Sequence, residues 1–220
     1  MSNDARSRYT KPDFAEAALI TIDVQRDTLD GAPQEVPGTS AALPAMAALV
    51  TAFRGARRPI FHIVRLYESD GGNVDLCRRG EIEDGARYLA PGTPGSQPAS
   101  GLLPTEAPAL DHELLLAGGI QSVGEHEVVL YKPRWGAFYR TPLENELRER
   151  QVSTLVFCGC NYPNCPRTSI YEASERDFRV VLVSDAISGL YERGERELSR
   201  IGVTLTRSPD VVDVLAAPVG

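Results

Sequence analysis

Near-continuous apolar runs punctuate the chain at ALITID (18–23), PIFHIVR (59–65), EVVLYK (127–132), TLVFCG (154–159) and RVVLVS (179–184). Runs of this length without polar alternation read as strands covered on both faces, the pattern of a parallel sheet. Between them, 40–57, 142–150 and 166–177 carry helical periodicity, and 192–201 and 210–216 read as closing helices. A short strand over 203–206 would lie at an edge. This alternation predicts a single-domain, three-layer α/β/α protein.

Residues 67–121 break the rhythm. The stretch is rich in Gly and Pro (GTPGSQPASGLLP), lacks strong periodicity and is too long for an ordinary connection, so it is expected to cover a functional site. Ligands of doubly wound sheets bind beyond the carboxyl ends of the strands. Those ends carry Asp23, Arg65, Lys132, the cysteine loop and Asp185.

Composition narrows the partners. With 220 residues, 42% hydrophobic and a formal charge of -7, the chain can bury a sizeable core and offers no basic surface to nucleic acid or an anionic membrane. The polar start MSNDARSRYTKPDF and the lack of a spanning apolar segment lead to a cytoplasmic expectation, in which four cysteines are not a disulfide framework. Lys11 and Lys132 are the only lysines among 23 basic residues, so a lysine closing an apolar run is conspicuous.

The loop CGCNYPNCPRTS (158–169) concentrates the remaining chemistry. Its cysteine spacings fit neither a zinc site nor a Cys-x-x-Cys redox pair. Cys158 reads as a core thiol and Cys77 as a loop thiol. Cys165 precedes Pro166 at a helix start, which predicts it as the N-cap with a pKa lowered by the helix dipole, although an inert capping cysteine fits the same pattern. No histidine among His62, His112 and His126 is placed to form a dyad with it. Asp23 and Lys132 have bland readings too, as a capping or Arg26-paired carboxylate and a snorkelling lysine.

Taken together, ALITIDVQRD, VVLYKPRWGAFYRTPLENEL and LVFCGCNYPNCPRTSIYEASERDFRVVLVSDAISG resemble the isochorismatase-like cysteine hydrolases, which include nicotinamidases and N-carbamoylsarcosine amidases. The resemblance implies a six-stranded, mostly parallel sheet, a triad of Asp23, Lys132 and Cys165, and a cis Cys160–Asn161 peptide. It also implies an oxyanion hole made by the backbone N–H groups of Asn161 and Cys165. The implied activity is hydrolysis of a small-molecule amide through a thioester, without a cofactor. After the second strand the chain reads FHIVRLYESDGG rather than the Asp-x-His of metal-binding nicotinamidases, so no metal is expected and nicotinamide is disfavoured. CPRTS at the helix start also departs from the more usual CVxxTA.

Substrate contacts are expected from Arg65, Trp135, Phe138, Tyr139 and Tyr162, with Arg78, Arg79 or Arg87 reaching a polar group from the excursion. A ureido compound or a lactam is a candidate substrate. Two other readings compete: a non-catalytic binding member of the fold, and an oxidant sensor using Cys160 and Cys165. The resemblance further implies a homodimer or homotetramer, for which the apolar face of 41–50 is a candidate interface.

Overall fold

The computed structural model describes residues 8–217, so the first seven residues of the polar N-terminal stretch lie outside it. One sheet of seven strands organises the chain: β1 (Ala17–Ile22), β2 (Ile60–Val64), β3 (Ile120–Gly124), β4 (Glu127–Tyr131), β5 (Thr154–Gly159), β6 (Arg179–Ile187) and β7 (Thr204–Thr206). Their order is β3-β4-β2-β1-β5-β6-β7, and every pair is parallel except β3–β4.

The sheet therefore has one strand more than the six expected. The addition is β3, which ends the Gly/Pro-rich stretch and turns straight back into β4 through Glu125 and His126. Its half-buried alternation and its glycine hid it from a search for fully apolar runs. Strand β6 also runs three residues beyond Ser184.

Period-two geometry sends alternate side chains of each strand to opposite faces, and both faces are apolar. Ala18, Ile20, Ile22, Leu155, Phe157, Val180 and Leu182 join one core with helices α4 (Leu143–Glu149) and α5 (Cys165–Ser174). Ala17, Leu19, Val156, Val181 and Val183 join the other core, under α1 (Thr39–Gly55) and α7 (Ser208–Ala216). Helices α2 (Leu76–Glu83), α3 (His112–Leu116) and α6 (Glu192–Arg200) complete the set used below.

Each fully buried Leu, Met or Phe contributes about 1.5–3 kcal/mol. Helix α1 buries Ala42, Met46, Leu49, Val50 and Phe53 in this way, so the larger apolar residues of 41–50 belong to the core, and Ala41, Pro44 and Ala48 face outward. Among the described residues no helix is long and apolar enough to cross a membrane.

His62 is structural. Its Nδ1 lies 2.9 Å from Thr21 Oγ1, its register partner on β1, and its Nε2 lies 2.8 Å from Glu127 Oε1. Arg54 donates to both Glu127 oxygens, at 2.8 and 2.9 Å, which closes a satisfied buried network. Asp185 is likewise drawn away from the sheet's ligand edge: it accepts from the Ser208 N–H and hydroxyl, each at 2.8 Å, at the start of α7.

Gly159 ends β5 with φ +129°, and a Cβ there would meet Ile22 O at 2.3 Å. Gly55 closes α1 with nothing within 4 Å of an added Cβ. Urea denaturation is expected to show Gly159→Ala losing about 3 kcal/mol or more, and Gly55→Ala neutral or gaining about 0.5–1 kcal/mol.

Candidate active site

Strand β1 hands the chain to Asp23, which takes a left-handed conformation (φ +54°) while its N–H donates to Ile63 O. Aspartate tolerates this region better than a β-branched residue does. Two strands away β4 delivers Lys132, whose N–H donates to Val64 O. The side chains meet across the end of β2, with Lys132 Nζ 2.8 Å from Asp23 Oδ2. Lys132 is fully buried and Asp23 is 5% exposed. Lys132 Nζ also donates to Arg134 O at 3.2 Å. Asp23 Oδ1 is buried with no hydrogen-bond partner among the described residues.

From the neighbouring β5 comes the cysteine loop. The Cys160–Asn161 peptide is cis, and Cys160 donates its N–H to Ile22 O and its thiol to Asp23 O. Asn164 Nδ2 donates to Asn161 Oδ1 at 3.0 Å. Helix α5 begins one residue earlier than expected: Asn164 is the cap, Cys165 the first helical residue and Pro166 the second. The N–H groups of Asn161 and Cys165 have no partner among the described residues. Ser169 Oγ donates to Cys165 O and accepts from the Ala137 N–H, which pins the helix to the segment after Lys132.

The expected depression of the Cys165 pKa is not found. Burial pushes the thiol up to about 12, the charge of Asp23 pushes the same way, and Lys132 pulls against both. Position at a helix start is worth about 0.3–1 kcal/mol, which is less than removing a thiolate from water costs. Burial and the Asp23 charge together favour the neutral thiol beside the Asp23–Lys132 pair. Burial also pushes Cys158 and Cys160 up to about 12, and all four cysteines are free thiols. Cys77, expected in a loop, is exposed within α2.

Asp23, Arg65, Trp135, Asn161 and Cys165 line a cavity of about 40 Å³, together with Tyr67, Arg78 and Leu89 from the long excursion. Three of the nominated contacts lie elsewhere. Tyr162 is fully buried and donates to Gly194 O, Phe138 packs in the core beside Phe178, and Tyr139 is 44% exposed under Arg140. Arg79 and Arg87 turn to backbone carbonyls. Tyr67, Asp75 and Gln25 went unnoticed in the sequence because nothing local marks them. Gln25 is buried, holds both backbone groups of Arg65, and reaches Ser96 O at 2.7 Å.

The segment beyond β2 does not suit a divalent cation. The Arg65 guanidinium occupies it, 2.7 Å from Asp75 Oδ2. Among the described residues no three His, Cys, Asp or Glu side chains converge as metal ligands.

The model of the isochorismatase domain matches residues 17–201. The chain belongs to the isochorismatase family. An isochorismatase family protein from Desulfovibrio vulgaris subsp. vulgaris str. Hildenborough is 32% identical with a TM-score of 0.77, covering 92% of this chain and 99% of that one. The N-carbamoylsarcosine amidase from Thermoplasma acidophilum shares the fold, at 21% identity and a TM-score of 0.68 over 88% of this chain and 96% of its own. The ureidoacrylate amidohydrolase RutB of Methylobacterium radiotolerans is 27% identical over 210 residues, 89% of this chain and 75% of its own. An Arabidopsis thaliana protein named a probable inactive nicotinamidase is also 27% identical, over 79% of this chain and 81% of its own. This family member thus resembles proteins named as amidohydrolases and one named as probably without activity.

Iodoacetamide labelling with peptide mapping tests the protonation state of Cys165. A thiol pushed up to about 12 should label faster and faster from about pH 7 to 9 with no plateau. Asp23→Asn removes a charge that raises the thiol and should accelerate labelling, whereas Lys132→Met removes the charge that lowers it and should slow labelling. A plateau near neutrality in the unaltered protein would contradict this assignment.

Proposed function

We propose that this protein hydrolyses the C–N bond of a small-molecule amide, with Cys165 as nucleophile and a thioester as intermediate. The observation that carries the reading is the buried Asp23–Lys132 pair beside the Cys165 thiol, next to two unpartnered backbone N–H groups. A structural ion pair alone would not call for a thiol and two free donors at the same strand edge.

In this reading Asp23 accepts the thiol proton as the sulfur attacks the carbonyl carbon, and Lys132 stabilises the thiolate that forms during the step. The neutral resting thiol suits this order, because proton transfer and attack are coupled rather than sequential. The tetrahedral oxyanion takes hydrogen bonds from the Asn161 and Cys165 N–H groups. Protonated Asp23 then gives its proton to the departing nitrogen, which leaves as ammonia or an amine. Water, deprotonated by Asp23, attacks the thioester, and the acid leaves with the thiol restored.

A cavity of about 40 Å³ is far below the roughly 300–1,000 Å³ of sites that enclose drug-sized ligands. That volume supports a small open-chain amide or ureido compound over a bulky lactam. Similarity to the protein named ureidoacrylate amidohydrolase points the same way.

The test is ammonia and amine release from a panel of primary amides, ureido acids and small lactams. Cys165→Ser, Asp23→Asn and Lys132→Ala are each expected to lower kcat on the best substrate by about 1,000-fold or more. Asp23→Asn should do so while labelling faster with iodoacetamide, which separates thiol exposure to reagent from catalysis. Turnover that survives Cys165→Ser would sink the thioester mechanism.

A further inference from the structure

The cavity that holds the Cys165 thiol is also lined by a cation that shares its counter-charge with a second arginine. Arg78, the third residue of α2, lies with Cζ 4.9 Å from the centroid of Trp135 and is 25% exposed. The one hydrogen bond of its guanidinium among the described residues is from Nη1 to Tyr67 Oη, at 3.3 Å. Asp75 Oδ2 is 3.6 Å away, outside hydrogen-bond reach, and is already committed to Arg65 at 2.7 Å and to the Tyr67 hydroxyl at 3.1 Å.

Arg65 offers a contrast. It is buried, donates from Nη1 to Lys132 O at 2.8 Å and from Nη2 to Asp75, and lies over the Tyr67 ring. Its charge and its donors are used by the protein itself. Lys132 is likewise answered by Asp23. Arg78 therefore shares the single carboxylate of Asp75 with the closer Arg65, and among the described residues Asp23, committed to Lys132, is the one carboxylate lining the cavity.

We infer that the substrate is an anionic amide, a small ureido or amide compound bearing a carboxylate, and that Arg78 is the residue that selects it. The inference rests on the amide-hydrolase reading above and adds the charge of the substrate to it. Arg78 and Trp135 line the cavity together, and the cation–π contact between them restrains a guanidinium whose fork of N–H donors suits a carboxylate. The protein carries a formal charge of -7, so its overall field disfavours an anion. A local cation in the cavity lining offsets that. Asn161, Asn164, Thr28 and Gln34 supply neutral polar lining that a ureido group could pair with.

Trp135 is the only tryptophan in the chain, so its fluorescence reports on the Arg78 site independently of turnover. The experiment compares N-carbamoylglycine with its neutral amide, N-carbamoylglycinamide, in kcat/KM and in fluorescence titration. The acid is expected to exceed the amide in kcat/KM by about 10- to 100-fold, the range of a charge-assisted bidentate contact. Arg78→Gln should collapse that ratio at least tenfold through KM for the acid, and Arg78→Lys, which keeps the charge but not the fork, should restore part of it. Saturable quenching of Trp135 by the acid, and not by the amide, should vanish in Arg78→Gln.

An unaltered protein that turns over both compounds equally, or an Arg78→Gln protein that slows both alike, overturns the anion site and leaves hydrolysis standing. Acid-specific quenching without hydrolysis of any panel compound does the reverse. If Arg78→Gln does not fold, the ratio in the unaltered protein and in Arg78→Lys decides the matter. No quenching by the acid and no preference for it refute the assignment.

Discussion

The ion pair between Asp23 and Lys132 is the constraint on which the carboxyl edge of the sheet depends. Both charges are withdrawn from water, and breaking a pair buried this way typically costs about 3–5 kcal/mol because the remaining charge is left uncompensated. Two strands separated by a third must therefore end in register. Further contacts hold that register: Arg65 grips the carbonyl of Lys132, Asp75 holds the Arg65 guanidinium, and Gln25 clasps the backbone of Arg65 from the β1 side. A chain of polar contacts thus runs from the acid, around the end of β2, back to the base.

The thiol shows how close contact and burial compete. Its place at the first turn of α5 and its ammonium neighbour both favour a thiolate, yet burial and the adjacent carboxylate outweigh them. In the proposed hydrolase, such a thiol would give up its proton only as a carbonyl arrives to take up the developing charge. The same burial limits the access of stray electrophiles and oxidants and strengthens the electrostatics around Asp23, Lys132 and Cys165.

Much of this was readable before any coordinates. The central strands are apolar on both faces, so their runs are unmistakable, and the strand ends placed Asp23, Lys132 and Cys165 on one edge. Trp135 and Arg78 were nominated and do line the cavity. The failures share a cause, since each turned on a partner distant in sequence. Tyr162 and Phe138 look like pocket aromatics until Gly194 and Phe178 pack against them. The half-exposed β3 escaped because its pattern makes sense only beside β4. Where a side chain's role was fixed by its own strand, the sequence sufficed. Where it was fixed by what the excursion brought back, it did not.

The excursion carries a small apolar cluster of its own, Tyr67, Val74, Ile82, Tyr88 and Leu89, separate from the two cores that clamp the sheet. Around this cluster the excursion fastens to the frame at polar points, among them Asp75 on Arg65 and Ser96 on Gln25, while Ala99, Leu102, Leu110 and Leu115 further along pack against the sheet. A wall that packs on itself and docks at a few fixed points can change its inner face without disturbing the strands that hold acid, base and thiol. On the proposed reading, descent can diversify the appetite of such a protein through residues 67–89 while Asp23, Lys132 and Cys165 are inherited intact on the frame.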